Sequence, residues 1–266
     1  MHTTTISGPA GKLHLVDTGE PGEGGHRGAP VLLIHGMVGH VGFWDGVLPH
    51  LRSRRRVLAL DLRGHGASEP PQDRDYSPAA CAGDVLAVLD ALALPRVALV
   101  GHSYGTLVAL AAAAAAPERA ERVILADPPG DLNHLPTAVR DEYLAALAGD
   151  RYQVSVEATF TEALEGGAPG TRDIVLGRLA ATPRDRLLGM SESLFAFDAI
   201  DAIDRYQAHP GARVAAVLAP ANAWPYSLHV LRPAIAATVV PNTGHWLLLD
   251  APDRFGAALS AALDAV

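Results

Sequence analysis

Val97-Ala98-Leu99-Val100-Gly101-His102-Ser103-Tyr104-Gly105-Thr106 runs from an apolar stretch, through a serine flanked by glycines, into an alanine-rich segment. Four consecutive apolar residues suit a strand buried on both faces, and the small-residue stretch 106–116 suits a close-packed helix. The serine therefore lies on a sharp strand-to-helix turn. Such a turn strains the backbone and crowds neighbouring chains, so glycines two residues to either side remove Cβ atoms that would block it. The turn lifts the serine hydroxyl above the sheet, where it can act as a nucleophile. A bare Gly-x-Ser-x-Gly is a common accident; the strand before and the helix after give this one its meaning.

Similar apolar runs recur at Val31–Ile34, Val57–Leu60, 122–125, 213–218 and 237–240, each bounded by Gly, Pro, Asp or Asn. Helical stretches at 78–92, 106–116 and 252–263 alternate with them, which predicts an α/β fold with a mostly parallel central sheet flanked by helices. Residues 4–7 and 12–17, joined by Gly8-Pro9-Ala10-Gly11, predict an antiparallel hairpin on one edge, and the glycine-rich stretch 19–30 a surface loop. From 132 to 209 no strand pattern appears. Helical patterns at 138–147, 154–164, 172–179 and 184–195 predict a small all-helical cap over the active-site end. The expected organisation is thus a core in two parts, 1–131 and 210–266, with the cap at 132–209. A chain of 266 residues that is 49% hydrophobic can bury one large core.

A net charge of −8 offers no basic face for nucleic acid or an anionic membrane surface. The one locally basic run, Arg52-Ser53-Arg54-Arg55-Arg56, reads as a solvated helix end. Cys81 stands alone, so no intrachain disulfide is expected, and no leader-like segment opens the chain, which points to a cytoplasmic protein. The most apolar stretch, 107–116, is too short to span a bilayer. The histidines lack metal-ligand spacing and no phosphate-binding glycine loop follows a strand, so neither a metal nor another cofactor is implied.

A serine hydroxyl needs a base within hydrogen-bond reach and a third group to orient that base. Among twelve histidines, His245 in Pro241-Asn242-Thr243-Gly244-His245-Trp246 is the candidate, because it follows the last strand and precedes the last helix, at the sheet edge that carries Ser103.

Four motifs in order, Ile34-His35-Gly36, Asp61 to Ser68 (Asp-Leu-Arg-Gly-His-Gly-Ala-Ser), Gly101 to Gly105, and Gly244-His245, make the chain resemble the α/β-hydrolase fold superfamily over essentially its whole length. The resemblance implies an oxyanion hole from the backbone N–H groups of Met37 and Tyr104, and a structural role for His65. It also exposes a departure: where many relatives carry an aspartate after the strand that follows the cap, this chain has Asn222. An amide cannot carry the charge that stabilises an imidazolium. Asp127, at the end of the strand after the nucleophile helix, is the expected acid, as in zearalenone lactonases and some haloalkane dehalogenases; Asp198, Asp201 and Asp250 are the alternatives.

A serine nucleophile excludes the dehalogenase and epoxide-hydrolase branches, which need an aspartate there. The expectation is a serine carboxylesterase or lactonase acting on a small apolar or aromatic ester or lactone, with a pocket drawn from Phe43, Trp44, Tyr104, Met190, Phe195, Phe197, Trp224, Tyr226 and Trp246. A carbon–carbon bond hydrolase of ring-cleavage diketones and a cofactor-free perhydrolase use the same triad. A receptor-like binding module would need only the pocket.

Overall fold

The computed structural model describes residues 1–22 and 28–265; the middle of the loop expected at 19–30 lies outside them. β1 (His2–Gly8) and β2 (Gly11–Asp17) form the edge hairpin, turning through Pro9 and Ala10 with Gly8 opposite Gly11. β2 pairs antiparallel with β4 (Val57–Leu60), which lies parallel to β3 (Val31–Ile34). β5 (Val97–His102), β6 (Ala120–Ala126), β7 (Val214–Leu218) and β8 (Ala236–Val239) continue in parallel, giving the order β1-β2-β4-β3-β5-β6-β7-β8. β6 extends beyond the apolar run that marks it, through Ala120 and Ala126, because its ladder with β5 continues past that run at both ends.

Period-two alternation sends successive side chains to opposite faces of the sheet. Leu32, Ile34, Leu58, Leu60 and Leu99 join one apolar cluster, packed with α2 (Pro78–Ala91) and α3 (Tyr104–Ala115). Val31, Leu33, Val57, Ala59 and Val100 join the other, with the short α1 (Leu48–Leu51) and, near the C-terminus, the helix over Pro252–Asp264. Ala109, Ala112 and Ala113 of α3 are buried, so the alanine run is a packing face.

Between β6 and β7 lie α4 (Thr137–Ala148), α5 (Tyr152–Ala163), α6 (Pro169–Ala181), α7 (Arg184–Ala196) and α8 (Ala199–Gln207). The expected cap boundary at 209 needs correction, because α8 packs on the core. Its Ala199, Ala202, Ile203 and Tyr206 are buried in the cluster beside α3, and the Tyr206 hydroxyl donates to the Ala120 carbonyl at 3.3 Å. α9 (Leu228–Leu231), α10 (Leu247–Asp250) and α11 (Pro252–Asp264) complete the chain.

The basic run is also not a solvated end. Arg55 is buried and donates to the Leu263 carbonyl at 3.0 Å and to Asp264 at 2.9 Å, and Arg56 pairs with Asp17 at 2.6 Å. The planar guanidinium offers five donors, which lets Arg55 bind the last turn of α11 while buried. Among the described residues no helix is long and apolar enough to cross a membrane.

Candidate active site

β5 runs straight into α3 through Ser103, whose backbone sits at φ 52° and ψ −124°. This left-handed conformation is costly for a residue with a side chain and persists where surrounding bonds over-determine it. Here the Ser103 N–H donates to the Ala126 carbonyl at 3.0 Å, and the Ser103 carbonyl accepts from the Thr106 hydroxyl at 2.6 Å. The glycines do what the sequence requires of them. A Cβ on Gly101 would lie 2.2 Å from the Gly105 carbonyl oxygen, and one on Gly105 would lie 2.3 Å from that of Ile34. Gly36 is equally constrained: its Cβ would meet the Ser103 Cβ at 2.7 Å. Ser103 itself is half-buried.

Asp127 follows β6 in a second left-handed turn, at φ 47°. Its buried carboxylate accepts from His245 Nδ1–H at 2.6 Å through Oδ2. The other oxygen, Oδ1, accepts from the Ala219 N–H at 2.8 Å and from the Asn222 amide at 3.1 Å. Asn222, at the position where many relatives carry an aspartate, therefore donates to Asp127. Its amide also donates to the Pro128 carbonyl at 2.9 Å, which fixes the Asp127 turn.

The alternative acids do other work. Asp198 caps α8 by accepting from the Asp201 N–H, Asp201 lies beside Arg205, and Asp250 holds the His245 loop by accepting from the Gly244 N–H at 2.8 Å. His102, one residue before Ser103, carries no sequence signal that singles it out. Its Nε2–H donates to the His245 carbonyl at 2.8 Å, and the two rings lie 5.0 Å apart, so the elbow and the histidine loop are directly linked. Burial pushes the His102 imidazole down to about 3. It stays neutral at physiological pH.

The loop after β3 is shaped by His35. Its Nδ1–H donates to the Gly36 carbonyl at 2.8 Å, while Nε2 accepts from the Leu62 N–H at 3.1 Å, which fixes its tautomer. Burial holds His35 down at about 4. The backbone N–H groups of Met37 and Tyr104 donate to no acceptor among the described residues. Asp61 anchors the neighbouring turn by accepting from Val41 N–H, Ala67 N–H and His14 Nδ1–H at 2.8, 2.9 and 2.7 Å. A Cβ on Gly66 would overlap that carboxylate. His65 is buried, is held well below its ordinary value by burial, and donates to the Arg63 carbonyl at 3.0 Å. It belongs to this scaffold.

A cavity of about 520 Å³ opens beside Asp127 and His245, between the strand ends and α4, α5 and α7. Of the expected pocket residues, Phe195 and Trp224 line it. The others need correction. Phe43, Trp44, Tyr104, Met190 and Trp246 are core residues: Trp44 packs on Phe255, Trp246 on Phe160, and the Tyr104 hydroxyl donates to the Tyr76 carbonyl. Phe197 packs against the core, and Tyr226 lies tilted against Trp224, outside the cavity lining. Aromatic bulk is a poor guide here because large apolar side chains more often fill cores. The lining that sequence reasoning missed includes Leu132, Leu135, Val139, Tyr143, Thr159 and Leu194. Val139 and Tyr143, four residues apart on α4, carried a helical-face signal.

The family model described as alpha/beta hydrolase fold matches residues 29–161. The chain belongs to the α/β-hydrolase fold family. This α/β-hydrolase is 27% identical over 257 residues to an N-formylmaleamate deformylase of Pseudomonas putida, covering 90% of each chain. It is 41% identical over 101 residues to a 2-hydroxymuconate semialdehyde hydrolase of a Pseudomonas species, a match that spans 37% of this chain and 36% of that one. Its fold is shared with the enol-lactonase of Burkholderia xenovorans, at a TM-score of 0.79 and 21% identity, over 98% of this chain and 100% of that chain. A thermophilic esterase of Thermogutta terrifontis shares it at a TM-score of 0.78 and 21% identity, over 99% and 98% of the two chains.

Proposed function

We propose that this hydrolase cleaves a carboxylic ester or lactone of a small apolar or aromatic substrate through an acyl-enzyme on Ser103. The observation that carries the reading is the 2.6 Å bond from His245 Nδ1–H to a buried Asp127, at the same end of the sheet as the strained, half-buried Ser103 on the neighbouring strand. With Nδ1 protonated, His245 has Nε2 free to take the Ser103 proton as Oγ attacks the carbonyl carbon. Asp127 stabilises the imidazolium that forms. The free amides of Met37 and Tyr104 meet the charge that develops on the carbonyl oxygen, and being backbone groups they need no reorganisation. His245 then returns the proton to the leaving oxygen, and water, activated by the same imidazole, releases the acyl group. The cavity, apolar along Leu132, Leu135, Phe195 and Trp224, suits an uncharged acyl or aryl group.

The test is labelling by a fluorophosphonate probe, followed by turnover on aryl esters, lactones and a vinylogous diketone. Ester or lactone turnover that is lost in Ser103→Ala supports the reading. Failure of the probe to label Ser103 favours a receptor-like module instead. A second reading, carbon–carbon bond hydrolysis, draws on the 41% identical stretch shared with the semialdehyde hydrolase. Preferential turnover of the diketone would select it.

A further inference from the structure

We propose that Asp131, His134 and Asp198 bind a first-row divalent cation of the Zn²⁺ type, which ties together the two stems of the helical insertion. Asp131 and His134 lie on the chain as it leaves β6 for α4, and Asp198 lies where it returns between α7 and α8. One donor atom from each falls within 4.8 Å of the other two. Two carboxylates and one imidazole, without sulfur, form the donor set that borderline cations such as Zn²⁺ accept, with water completing the coordination.

The second observation is a buried carboxylate oxygen with nothing to bind. Asp131 is 3% exposed, and its Oδ2 accepts from His134 Nδ1–H at 2.7 Å. Its Oδ1 is buried with no hydrogen-bond partner among the described residues. Buried anionic oxygens are ordinarily paired or coordinate a cation. Arg232 lies near enough to feel the charge of Asp131 and Asp198, but its guanidinium is already engaged by Asp204 at 2.6 and 2.8 Å. Asp198 uses one oxygen, Oδ1, to cap α8, which leaves the other oxygen for a metal. The His134 side chain is 57% exposed, which gives the ion a path from solvent. Donor atoms around a Zn²⁺ ion at about 2.1 Å lie roughly 3–4 Å apart, so rotation of His134 and Asp198 closes the site.

The cation would fix the angle at which the insertion leaves the core, since its ligands come from both connections. The experiment uses the whole chain, stripped of metal with a chelator and dialysed. ZnCl₂ is titrated by calorimetry, CoCl₂ by visible absorption, and the melting temperature is recorded with and without Zn²⁺. The expected result is one equivalent bound with a higher melting temperature. His134→Gln and Asp198→Asn, whose side chains are not part of the core, should each weaken Zn²⁺ at least about tenfold and abolish the temperature shift. The Co²⁺ spectrum should lose its intensity in both. Unchanged Zn²⁺ affinity in the two variants would place the ion elsewhere and overturn the proposal. So would the absence of saturable binding to the parent protein below millimolar Zn²⁺.

Discussion

Replacing Asp127 by asparagine should cost far more than the loss of one hydrogen bond, because the geometry dictates how the new amide must sit. The Oδ1 position is surrounded by donors, the Ala219 N–H at 2.8 Å and the Asn222 amide at 3.1 Å, so the oxygen of the introduced amide is drawn there. Its NH₂ then occupies the Oδ2 position, 2.6 Å from His245 Nδ1. Facing a donor, Nδ1 must become an acceptor and the ring proton moves to Nε2, the nitrogen that has to receive the Ser103 proton. The wrong tautomer, together with the lost charge, lowers kcat about 10⁴-fold in a serine protease, or roughly 5.5 kcal/mol of barrier at about 1.4 kcal/mol per decade. The same loss is expected here on an aryl ester, with KM little changed. Adding Asn222→Asp to Asp127→Asn places an acceptor beside the introduced amide, which favours turning it over so that its oxygen again receives Nδ1–H, against the cost of setting its NH₂ opposite the Ala219 N–H. The double variant should recover one to two decades, limited by repulsion between the introduced carboxylate and the Pro128 carbonyl that Asn222 binds at 2.9 Å. The assay is steady-state kcat on purified variants of matched melting temperature. A folded Asp127→Asn that keeps kcat within tenfold of the parent would refute the reasoning.

Three further outcomes follow from the scaffold. His35 and His102, held at about 4 and about 3, stay neutral when folded but take up protons when unfolded below their ordinary value of 6.5, so the unfolded state binds more protons as pH falls. Stability is full above pH 6.5 and falls below it by about 1.4 kcal/mol per pH unit for each group, roughly 3 kcal/mol in all at pH 5.5, with His65 acting in the same direction. Urea unfolding at pH 7.5 and 5.5 measures this, and equal stabilities would contradict it. Gly101→Ala drives a Cβ to 2.2 Å from the Gly105 carbonyl, so a loss of about 3 kcal/mol or more is expected in thermal melts; an unaltered melt would mean the elbow is looser than described. His102→Phe removes the donor to the His245 carbonyl and should lower kcat about tenfold while KM stays near its parental value, a split that a purely structural role would not produce.

Much of the molecule is legible in its residues because the determining signals are local. The Gly101 to Gly105 turn admits no Cβ at its glycines, and the paired apolar runs admit few arrangements other than a covered parallel sheet. Asn222 excludes itself by charge, since an amide cannot replace a carboxylate in that role, and the resemblance then favours Asp127 while leaving three other aspartates open. Four features were not legible. Arg55 reads as surface because nothing in its neighbourhood reveals the Leu263 carbonyl and Asp264 carboxylate of α11, more than two hundred residues away, to which it is bound. α8 reads as cap because its amphipathic face is the same whether it packs on α3 or on α7. The aromatic residues around the site carry no mark that separates filling from lining. Asp131, His134 and Asp198 escape any spacing rule because one of the three arrives from the far end of the insertion.

Sequence alone determined the strand-to-helix turn at Ser103, the sheet and the order of its strands in the chain, because steric exclusion at glycines and apolar periodicity act between neighbouring residues. Only the tertiary structure decided which carboxylate meets His245, which side chains wall the cavity and which arginines are buried. Those depend on contacts between segments distant in the chain, where a side chain's environment is supplied by residues it never adjoins.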